Sequence, residues 1–364
     1  MIRVALEGLV KRYDQVAVVE GASLEIRPGE LAYVVGPAGA GKTTLARLVA
    51  GLEPLDGGAI SFDGRIIHTL PPRERKIGFV FQEDALWPRL TVAENVGYGL
   101  KVQGLARGER RDRVAEALNL VRVDSLAQKH PDQLTGPQRQ RVALARALAG
   151  GPGLLILDEP MGRLDPRARD ELRDEIRRVH DEVEVTTLAL TRDAREALAM
   201  ADRLAIMDLG RIVQAGPPHE VYNRPADAFV ARLLGPANLL QGQVEGTDAR
   251  GELVVRTPFG RLIGQTAAGA LDQGTPVTIA IRPEALTLGP NVPIGSNRFP
   301  ATIQRLVFLG EVRQVHLRGP GDWPVLALAL QSQSHHLREG QSLTLSVPPE
   351  HVVVLLGKYA VPRG

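Results

Sequence analysis

The sequence predicts an α/β domain that contains an inserted helical subdomain and is followed by a small all-β domain. Three observations support this fold class. In the first 235 residues, short and nearly all-apolar runs alternate with helical patterns, as expected for parallel strands buried on both faces. Helical patterning dominates the inserted stretch, at about residues 83–150. After Gly235, strand-like runs punctuated by Gly and Pro are typical of a small β-barrel or sandwich.

The individual elements follow from these patterns. The buried strands of the α/β core are predicted at Leu31–Val35, Leu154–Leu157 and Thr187–Leu190. Helices are predicted over Asp112–Leu120, which places Val114, Ala117 and Leu118 on one face, and over Gln140–Leu148. The C-terminal strands are predicted at Leu253–Val255, Val277–Ile281, Ala301–Leu309, Val312–Leu317, Leu343–Val347 and Val352–Leu356. A boundary at Gly235-Pro236 gives domains 1–235 and 236–364.

Composition excludes several classes of function. The 364 residues are 44% hydrophobic and 24% charged, which is a globular profile. The net charge of +2 argues against a nucleic-acid partner, and the basic run Arg107–Arg113 is interleaved with acids. The absence of cysteine excludes disulfides, thiolate catalysis and cysteine zinc sites. No signal peptide is expected, and no apolar run reaches the ~20 residues needed to span a bilayer. Any membrane-spanning helices must therefore come from another chain.

A glycine-rich segment matches the phosphate-binding pattern G-x-x-x-x-G-K-[ST] at every fixed position. It follows a predicted strand and opens a predicted helix, and this context argues against a fortuitous glycine turn. Glycines let backbone N–H groups point at phosphate oxygens, Lys42 adds positive charge at the β- and γ-phosphates, and Thr43 offers a hydroxyl to Mg²⁺. The expected nucleotide-contacting residues are Gly36, Pro37, Ala38, Gly39, Ala40, Gly41, Lys42, Thr43 and Thr44.

Two adjacent carboxylates follow the predicted strand Leu154–Leu157. Asp158 is expected to hold Mg²⁺ through water, and Glu159 is expected to polarise the water that attacks the phosphate. In isolation, such a pair also suits the start of a helix. Together with the glycine-rich cradle, it predicts a P-loop nucleoside triphosphatase with a RecA-like core.

The stretch Leu134–Leu148 narrows this prediction to a family. It begins Leu134-Thr135-Gly136-Pro137-Gln138, resembles the signature segment of ABC ATPases, and lies just ahead of Asp158-Glu159, as in that family. Ile281–Glu284 and Val307–Gly310 resemble segments of the OB-like TOBE domain of importer ATPases. The resemblance therefore covers the whole chain, and it is to the importer ATPases of the sulfate, iron(III), polyamine and maltose types.

The resemblance implies roles for matched positions. Tyr13 stacks on adenine, with ordinary core packing as the alternative. Gln82 contacts Mg²⁺ and the lytic water and links the site to the membrane partner. Asp165 lies in the loop that crosses to the opposite subunit. The residues near the groove for the membrane partner, for which core burial is the alternative, are Ala85, Leu86 and Trp87.

The resemblance also implies partners and cofactors. In the family, two ATP-binding domains form a head-to-tail dimer, and each ATP lies between one cradle and the signature segment of the other subunit. Thr135, Gly136 and Gln138 would thus contact the nucleotide of a second ATP-binding subunit, in a homodimer or a heterodimer. Integral-membrane permease subunits and, indirectly, a solute-binding protein are further expected partners. The cofactors are ATP and Mg²⁺, and the expected location is peripheral, on the cytoplasmic face of the inner (plasma) membrane.

Four positions depart from the family pattern, and at one of them Thr135 keeps the hydroxyl of the usual serine. Pro137 stands where the family has glycine and removes one backbone N–H, which costs roughly 1.5–3 kcal/mol of γ-phosphate contact, although proline suits a first helical turn. Arg192 occupies the position at which the family has the switch histidine. It still donates to phosphate but does not share a proton near neutral pH, and we expect it to pair with Glu159. Gly162 stands where serine is usual.

Two functions stay open on this basis. The first is an ATPase subunit that couples Mg-ATP hydrolysis to solute import, of an inorganic ion such as sulfate or iron, because Gly235–Leu240 is similar to the junction in importers of those ions. The second is a hydrolysis-impaired nucleotide-binding or regulatory subunit that pairs with a competent paralogue, which Pro137 and Arg192 favour. A soluble ABC protein of translation or DNA repair is disfavoured, because one cassette and no long coiled-coil insertion are found.

Overall fold

The computed structural model describes residues 1–162, 164–266, 269–289 and 297–357. Packing divides the chain into two compact units, which meet in sequence between Pro218 and His219. The division precedes the predicted boundary at Gly235. The reason is that Ala228 and Ala231 share an apolar cluster with Ala280 and Leu355 of the β domain.

The first unit carries the strands and helices of an α/β domain. Its strands are β1 Val4–Tyr13, β2 Val16–Ile26, β3 Leu31–Val35, β4 Gly57–Phe62, β5 Arg65–Ile66, β6 Ile77–Val80, β7 Leu154–Asp158, β8 Thr186–Thr191, β9 Arg203–Asp208 and β10 Arg211–Gly216. Its helices are α1 Lys42–Ala50, α2 Val92–Val102, α3 Arg107–Leu120, α4 Gly136–Leu148, α5 Pro166–Val183 and α6 Ala194–Met200. Two short helices follow, α7 Pro218–Asn223 and α8 Ala228–Leu233.

Two sheets form the core of this unit. The larger has the order β10-β9-β3-β8-β7-β6 and is parallel except for the β9–β10 pair. The predicted strand Leu31–Val35 is confirmed residue for residue as β3, which is buried throughout because both faces of the sheet are covered. The second sheet, β2-β1-β4-β5, is antiparallel, and its apolar face packs into the cluster that covers β3 and α1.

The predicted helical subdomain corresponds to α2, α3 and α4. Helix α3 buries Val114, Ala117 and Leu118, which confirms the face expected from the sequence. Helix α2 begins at a capping box in which Thr91 and Glu94 satisfy each other's backbone N–H groups. No helix in the described part of the chain is both long and apolar enough to cross a membrane.

The second unit begins with most of α7 and with α8, and the predicted all-β domain follows them. Its strands are β11 Asn238–Thr247, β12 Leu253–Thr257, β13 Gly260–Gly264, β14 Pro276–Ile281, β15 Thr287–Leu288, β16 Asn297–Phe308, β17 Val312–Arg318, β18 Pro324–Leu330, β19 Ser342–Val347 and β20 Val352–Leu356. They form two sheets with the orders β13-β12-β11-β14-β20 and β15-β19-β16-β17-β18. Both sheets contribute to one apolar core, in which the rings of Phe259 and Phe299 pack at 4.5 Å between centroids.

Candidate nucleotide-binding site

The carboxyl ends of three adjacent parallel strands bring the expected site residues together. Strand β8 lies between β3 and β7. The residues that directly follow these strands are Gly36, Glu159 and Arg192. In parallel α/β sheets, ligands bind in the crevice beyond the carboxyl ends of the strands. The fold therefore places the cradle and the two carboxylates at the edge where nucleotide chemistry is expected.

The glycines of the cradle are required by close backbone contacts. Gly41 has a φ of 98°, and a Cβ there would lie 2.5 Å from the carbonyl oxygen of Val18. A Cβ on Gly36 would lie 2.2 Å from the carbonyl oxygen of Met207. Neither backbone oxygen is a flexible side-chain atom that could move aside. The cradle is thus closed against β2 and β9, and Pro37, Ala38 and Gly39 form its exposed rim.

Lys42 opens helix α1 and turns back into the cradle. Its Nζ donates to the carbonyl oxygens of Gly36 at 2.7 Å and Pro37 at 2.9 Å. Burial lowers the pKa of Lys42, while the nearby carboxylate of Glu159 opposes this shift. Ala40 is buried beneath the loop, and Thr43 and Thr44 lie half-buried in the first turn of α1. A buried ammonium group therefore lies within the glycine-rich loop at the start of α1, an arrangement that suits the binding of an anion.

Thr43 joins the cradle to the first carboxylate. Its Oγ1 donates to Oδ1 of Asp158 at 3.2 Å. Burial raises the pKa of Asp158, and the hydrogen bond from Thr43 acts in the opposite direction. A hydroxyl, a carboxylate and the amide oxygen of the nearby Gln82 are the hard oxygen donors that Mg²⁺ prefers. The chemistry of this donor set fits a magnesium ion.

The second carboxylate is held at both oxygens. Gln82 Nε2 donates to Oε2 of Glu159 at 3.2 Å, and Arg192 Nε donates to Oε1 at 2.6 Å. The Glu159 side chain is only 11% exposed, whereas that of Arg192 is 55% exposed. The pairing of Arg192 with Glu159 that the sequence suggested is present. Glu159 also has a φ of 47°, an uncommon conformation that clusters at functional sites.

The neighbourhood of Glu159 bears on two features of the sequence. These are the alternative that Asp158 and Glu159 start a helix, and the glycine at position 162. The next helix, α5, begins at Pro166 and is capped by Asp165, so Asp158 and Glu159 do not start a helix. A Cβ on Gly162 would lie 3.6 Å from Oε2 of Glu159. The serine that is usual in the family would therefore face this carboxylate, and glycine leaves that side of it uncovered.

The signature segment forms the start of α4. Thr135 Oγ1 accepts from the N–H of Gln138 at 3.4 Å, and the Gln138 side chain accepts from the N–H of Thr135 at 2.9 Å. This is a capping box, with Pro137 in the first turn as expected. Gly136 packs near Leu164, the residue before Asp165. Asp165 caps α5 by accepting from the N–H of Ala168 at 3.0 Å. In the described residues, the hydrogen bonds of this segment do not reach the cradle of the same chain.

Tyr13 lies at the end of β1 and is 42% exposed, so core packing does not account for it. Lys11 Nζ lies 5.4 Å from the ring centroid, within cation–π range. Sequence reasoning missed Lys11. Strand alternation does not reveal it, because the pairing of β1 with β2 shifts register between Lys11 and Arg12, and Lys11 is buried while Tyr13 is exposed. One face of the Tyr13 ring is thus supported by a cation, and the ring remains accessible.

Ala85 and Trp87 are exposed and Leu86 is half-buried, so core burial does not account for this stretch. The Trp87 ring packs on Tyr98 at 4.2 Å between centroids. Tyr98 also lines a groove of about 720 Å³ between α2 and α3. The other lining residues are Leu90, Ala93, Glu94, Gly97, Lys101, Arg107, Gly108, Arg110, Arg111 and Val114. The structure therefore places Trp87 beside an open groove of the helical subdomain.

Comparison with known proteins tests these expectations. The family profile for ABC transporters matches residues 19–162, and the profile for the TOBE domain matches residues 279–355. The spermidine/putrescine import ATP-binding protein PotA of Thermobifida fusca is 39% identical over 364 residues, which cover 97% of this chain and 94% of that protein. The chain belongs to the ABC transporter ATP-binding family. It is an importer-type ABC ATPase with a C-terminal TOBE domain, as the resemblance implied.

Further relatives of this ABC ATPase carry other solutes in their names. The sulfate/thiosulfate import ATP-binding protein CysA of Ralstonia nicotianae is 39% identical over 350 residues, covering 94% of this chain and 93% of that protein. The sn-glycerol-3-phosphate import ATP-binding protein UgpC 1 of Rhizobium johnstonii is 40% identical over 319 residues, covering 87% and 85%. The two proteins are named for different anions, and PotA is named for polyamines.

Solved structures confirm the P-loop ATPase fold. The dimeric structure of MJ0796, a bacterial ABC transporter cassette, matches with a TM-score of 0.54 at 29% identity, covering 59% of this chain and 98% of that chain. A dimeric post-hydrolysis state of the same cassette bound to ADP and Pi matches with a TM-score of 0.53. The predicted combination of an ABC ATPase fold and an all-β TOBE domain is thereby confirmed.

Proposed function

We propose that this ABC ATPase binds Mg-ATP at the Gly36–Thr44 cradle and hydrolyses it in a head-to-tail dimer that drives solute uptake through separate permease subunits. One observation carries the proposal. Lys42, the Thr43–Asp158 pair and the Gln82–Glu159–Arg192 cluster lie together at one sheet edge. This set contains a phosphate-binding cation, oxygen donors for a divalent metal and a carboxylate for water activation, as ATP hydrolysis requires.

Each side chain has a role in this mechanism. Lys42 and the backbone N–H groups of the cradle bind the phosphates and hold the γ-phosphate in place. Glu159 accepts the proton of the attacking water as the water oxygen bonds to the γ-phosphorus, and the bond from that phosphorus to the bridging oxygen breaks so that ADP leaves. Gln82 orients the carboxylate through Oε2. Magnesium, when bound, neutralises charge on the phosphate oxygens, and the residues that would hold it are Thr43, Gln82 and Asp158. Tyr13 stacks on the adenine through its open ring face.

The dimer completes the nucleotide site. We infer that Thr135, Gly136 and Gln138 contact the ATP of the opposite subunit. The Thr135 hydroxyl accepts from Gln138, so its own hydrogen is free to donate to a phosphate oxygen. Asp165 caps α5, so the loop before it is held in place where it would cross to the other subunit. The dimeric arrangement of the 29% identical cassette supports this proposal.

The remaining partners follow from the groove and from the relatives. We infer that the groove beside Trp87 and Tyr98 receives a helix of the permease subunits, because it combines apolar walls with an open face. The chain would then act at the cytoplasmic face of the membrane, with a solute-binding protein as an indirect partner. We propose that the solute is a small ion. An inorganic ion such as sulfate or iron stays a prediction, because relatives named for polyamines and for sulfate are equally similar.

The test is steady-state Mg-ATP hydrolysis by the purified chain beside its Glu159→Gln variant. Glutamine keeps the shape of the side chain and removes its ability to accept a proton. A rate clearly above that of the variant supports the proposed ATPase. Equal background rates would show that the chain alone is not the motor. Uptake of labelled sulfate against labelled spermidine, in vesicles that contain this chain and its permease subunits, tests the solute.

The Arg192–Glu159 ion pair favours a second candidate function. If the guanidinium stays on the carboxylate, the chain binds ATP but hydrolyses it slowly, and a competent paralogue supplies the turnover. Pro137 points the same way, because it removes one donor from the signature segment. Mixing this chain with candidate paralogues tests the idea. An ATP-dependent heterodimer with higher turnover than either chain alone supports it, and a homodimer with full turnover excludes it.

A further inference from the structure

The first turn of α4 has few donors left for a phosphate. Pro137 has no N–H, and the N–H of Gln138 is used by the hydroxyl of Thr135 at 3.4 Å. Among positions 136–138, the backbone N–H of Gly136 is therefore the one that the capping box does not use. A segment that must bind the terminal phosphate of ATP in the opposite subunit needs another donor, and a nearby side chain could provide it.

Arg139 lies at this turn with part of its guanidinium unused. Its Nε donates to Oδ2 of Asp84 at 2.8 Å, and its Nη1 donates to the carbonyl oxygen of Leu134 at 2.8 Å. In the part of the chain that the structure describes, Nη2 has no hydrogen-bond partner. The side chain is 37% exposed. Two of the three nitrogens thus fix the guanidinium in one orientation and leave the third available.

The free nitrogen lies beside Gly136, which is proposed to contact the ATP of the second subunit. Nη2 lies 4.0 Å from the position that a Cβ on Gly136 would occupy. The Leu164 side chain approaches that same position to 3.4 Å. Leu164 directly precedes Asp165, whose loop is proposed to cross to the opposite subunit. Arg139 Nη2, the N–H of Gly136 and the crossing loop therefore lie together.

We propose that Arg139 supplies, through Nη2, the γ-phosphate donor that Pro137 removes from the signature segment. The inference rests on the proposed head-to-tail dimer, because the phosphate belongs to the ATP bound by the other subunit. A guanidinium is suited to the task, since it is always charged and its planar donors match phosphate oxygens. Asp84 acts as a positioning residue that holds Nε so that Nη2 points outward.

A double-mutant cycle tests the compensation between positions 137 and 139. ATP-dependent dimerisation is measured by analytical ultracentrifugation of the full chain carrying Glu159→Gln, so that ATP is not consumed. In the Pro137 chain, Arg139→Gln is expected to raise the Kd for dimerisation roughly 10- to 100-fold, the range for one charge-assisted hydrogen bond. In the Pro137→Gly background, the same substitution is expected to raise it less than about 3-fold, because the backbone donor is restored.

Two further variants separate this role from a structural one. Asp84→Asn removes the negative charge but keeps a side-chain oxygen that can accept from Nε, so Nη2 stays positioned and the effect should stay below about 3-fold. A loss as large as that of Arg139→Gln would overturn the proposal. Equal losses on substituting Arg139 in both backgrounds would also overturn it, as would no loss in either. Thermal unfolding without nucleotide reports whether each variant is folded. If no variant dimerises with ATP, the proposed dimer itself fails, and the inference fails with it.

Discussion

Arg192 donates from Nε to Oε1 of Glu159 at 2.6 Å, while Gln82 donates to Oε2 of the same carboxylate at 3.2 Å. The residue proposed as the general base thus has both oxygens engaged in hydrogen bonds with its neighbours. An incoming γ-phosphate carries more negative charge than one carboxylate and competes for the exposed guanidinium. Binding of ATP would then release Oε1, which could accept a proton from the attacking water. The ion pair would thereby make the general base available only when the γ-phosphate is bound.

Replacing the switch residue should expose this dependence. Arg192→His removes the ion pair and restores the family residue, so we expect kcat to rise roughly 2- to 5-fold, the scale of one partly exposed ion pair. The rate should also acquire a pH dependence near the ordinary pKa of histidine, about 6.5. Steady-state hydrolysis between pH 5.5 and 8.5 measures both effects, with Pro137→Gly as the matched single variant. An unchanged kcat and a flat profile would contradict the competition between phosphate and carboxylate.

Gly39 and Gly41 of the cradle both have a left-handed backbone conformation, but they differ in the space available for a Cβ atom. Gly39 has a φ of 80° and open space at its Cβ position, so Gly39→Ala should cost about 1–2 kcal/mol of unfolding free energy, from backbone strain alone. Gly41→Ala adds a contact at 2.5 Å with the Val18 carbonyl oxygen and should cost about 3 kcal/mol or more. Urea unfolding measures both. Equal losses of unfolding free energy in the two variants would mean that the loop can move away from β2 at little cost.

Local patterns predicted much of this molecule because their causes are local. The strand Leu31–Val35 and the apolar face of Val114, Ala117 and Leu118 follow from periodicity, which neighbouring residues carry. The cradle follows from glycines whose positions the loop geometry fixes. The division of the chain at Pro218 did not follow, because it depends on which surface α8 packs against, and residues far apart in sequence decide that.

The exposed face of Tyr13 predicts a measurable contribution to nucleotide binding. Removing the ring with Tyr13→Ala should weaken ATP binding roughly 10-fold, within the ~1–3 kcal/mol range for stacking of a base on an aromatic ring. Tyr13→Phe keeps the ring and serves as the control, with binding close to that of the native chain. Isothermal titration calorimetry gives the Kd of each variant. If alanine and phenylalanine bind ATP equally well, Tyr13 has no stacking role.

Glu196 predicts how stability changes with pH. The residue lies on α6 and is buried, Thr191 donates to Oε2 at 2.9 Å, and Oε1 has no hydrogen-bond partner among the described residues. Burial raises the pKa of Glu196 from 4.5 to about 7, although the hydrogen bond from Thr191 acts in the opposite direction. The folded state therefore favours the protonated acid, whose contribution is complete below pH 4.5 and is lost as pH rises through 7.

The matched variant is Glu196→Gln, which keeps the shape and does not ionise. Between pH 4.5 and 8, the native chain should lose on the order of 3 kcal/mol of unfolding free energy through this one group. The Glu196→Gln variant lacks this ionisation, so its loss of unfolding free energy over the same pH interval should be smaller by that amount. Denaturant unfolding at four or five pH values gives the two slopes. Parallel slopes would show that Glu196 keeps an ordinary pKa in the folded chain.

The contacts of Arg192, Lys11 and Arg139 illustrate the limit of sequence reasoning at the site. Pairing of Arg192 with Glu159 was expected, because a family pattern put both residues near one phosphate. The contact between Lys11 and the ring of Tyr13 lies at an irregularity of β1 between Lys11 and Arg12, which strand alternation does not predict. The fixed orientation of Arg139 depends on Asp84, which is distant in sequence and belongs to no motif used here. A motif specifies the chemistry of a site, whereas the supporting partners come from tertiary packing.

The placement of the aromatic residues gives the protein a built-in optical readout. The chain has two tryptophans, one in each unit. Trp87 lies beside the groove of the helical subdomain against Tyr98, and Trp323 packs on the core of the β domain. In the Trp323→Phe variant, tryptophan emission would come from Trp87 beside the groove. In the Trp87→Phe variant, it would come from Trp323 in the TOBE domain. Unfolding of each unit, and occupation of the groove by a permease, could then be followed without attaching any dye.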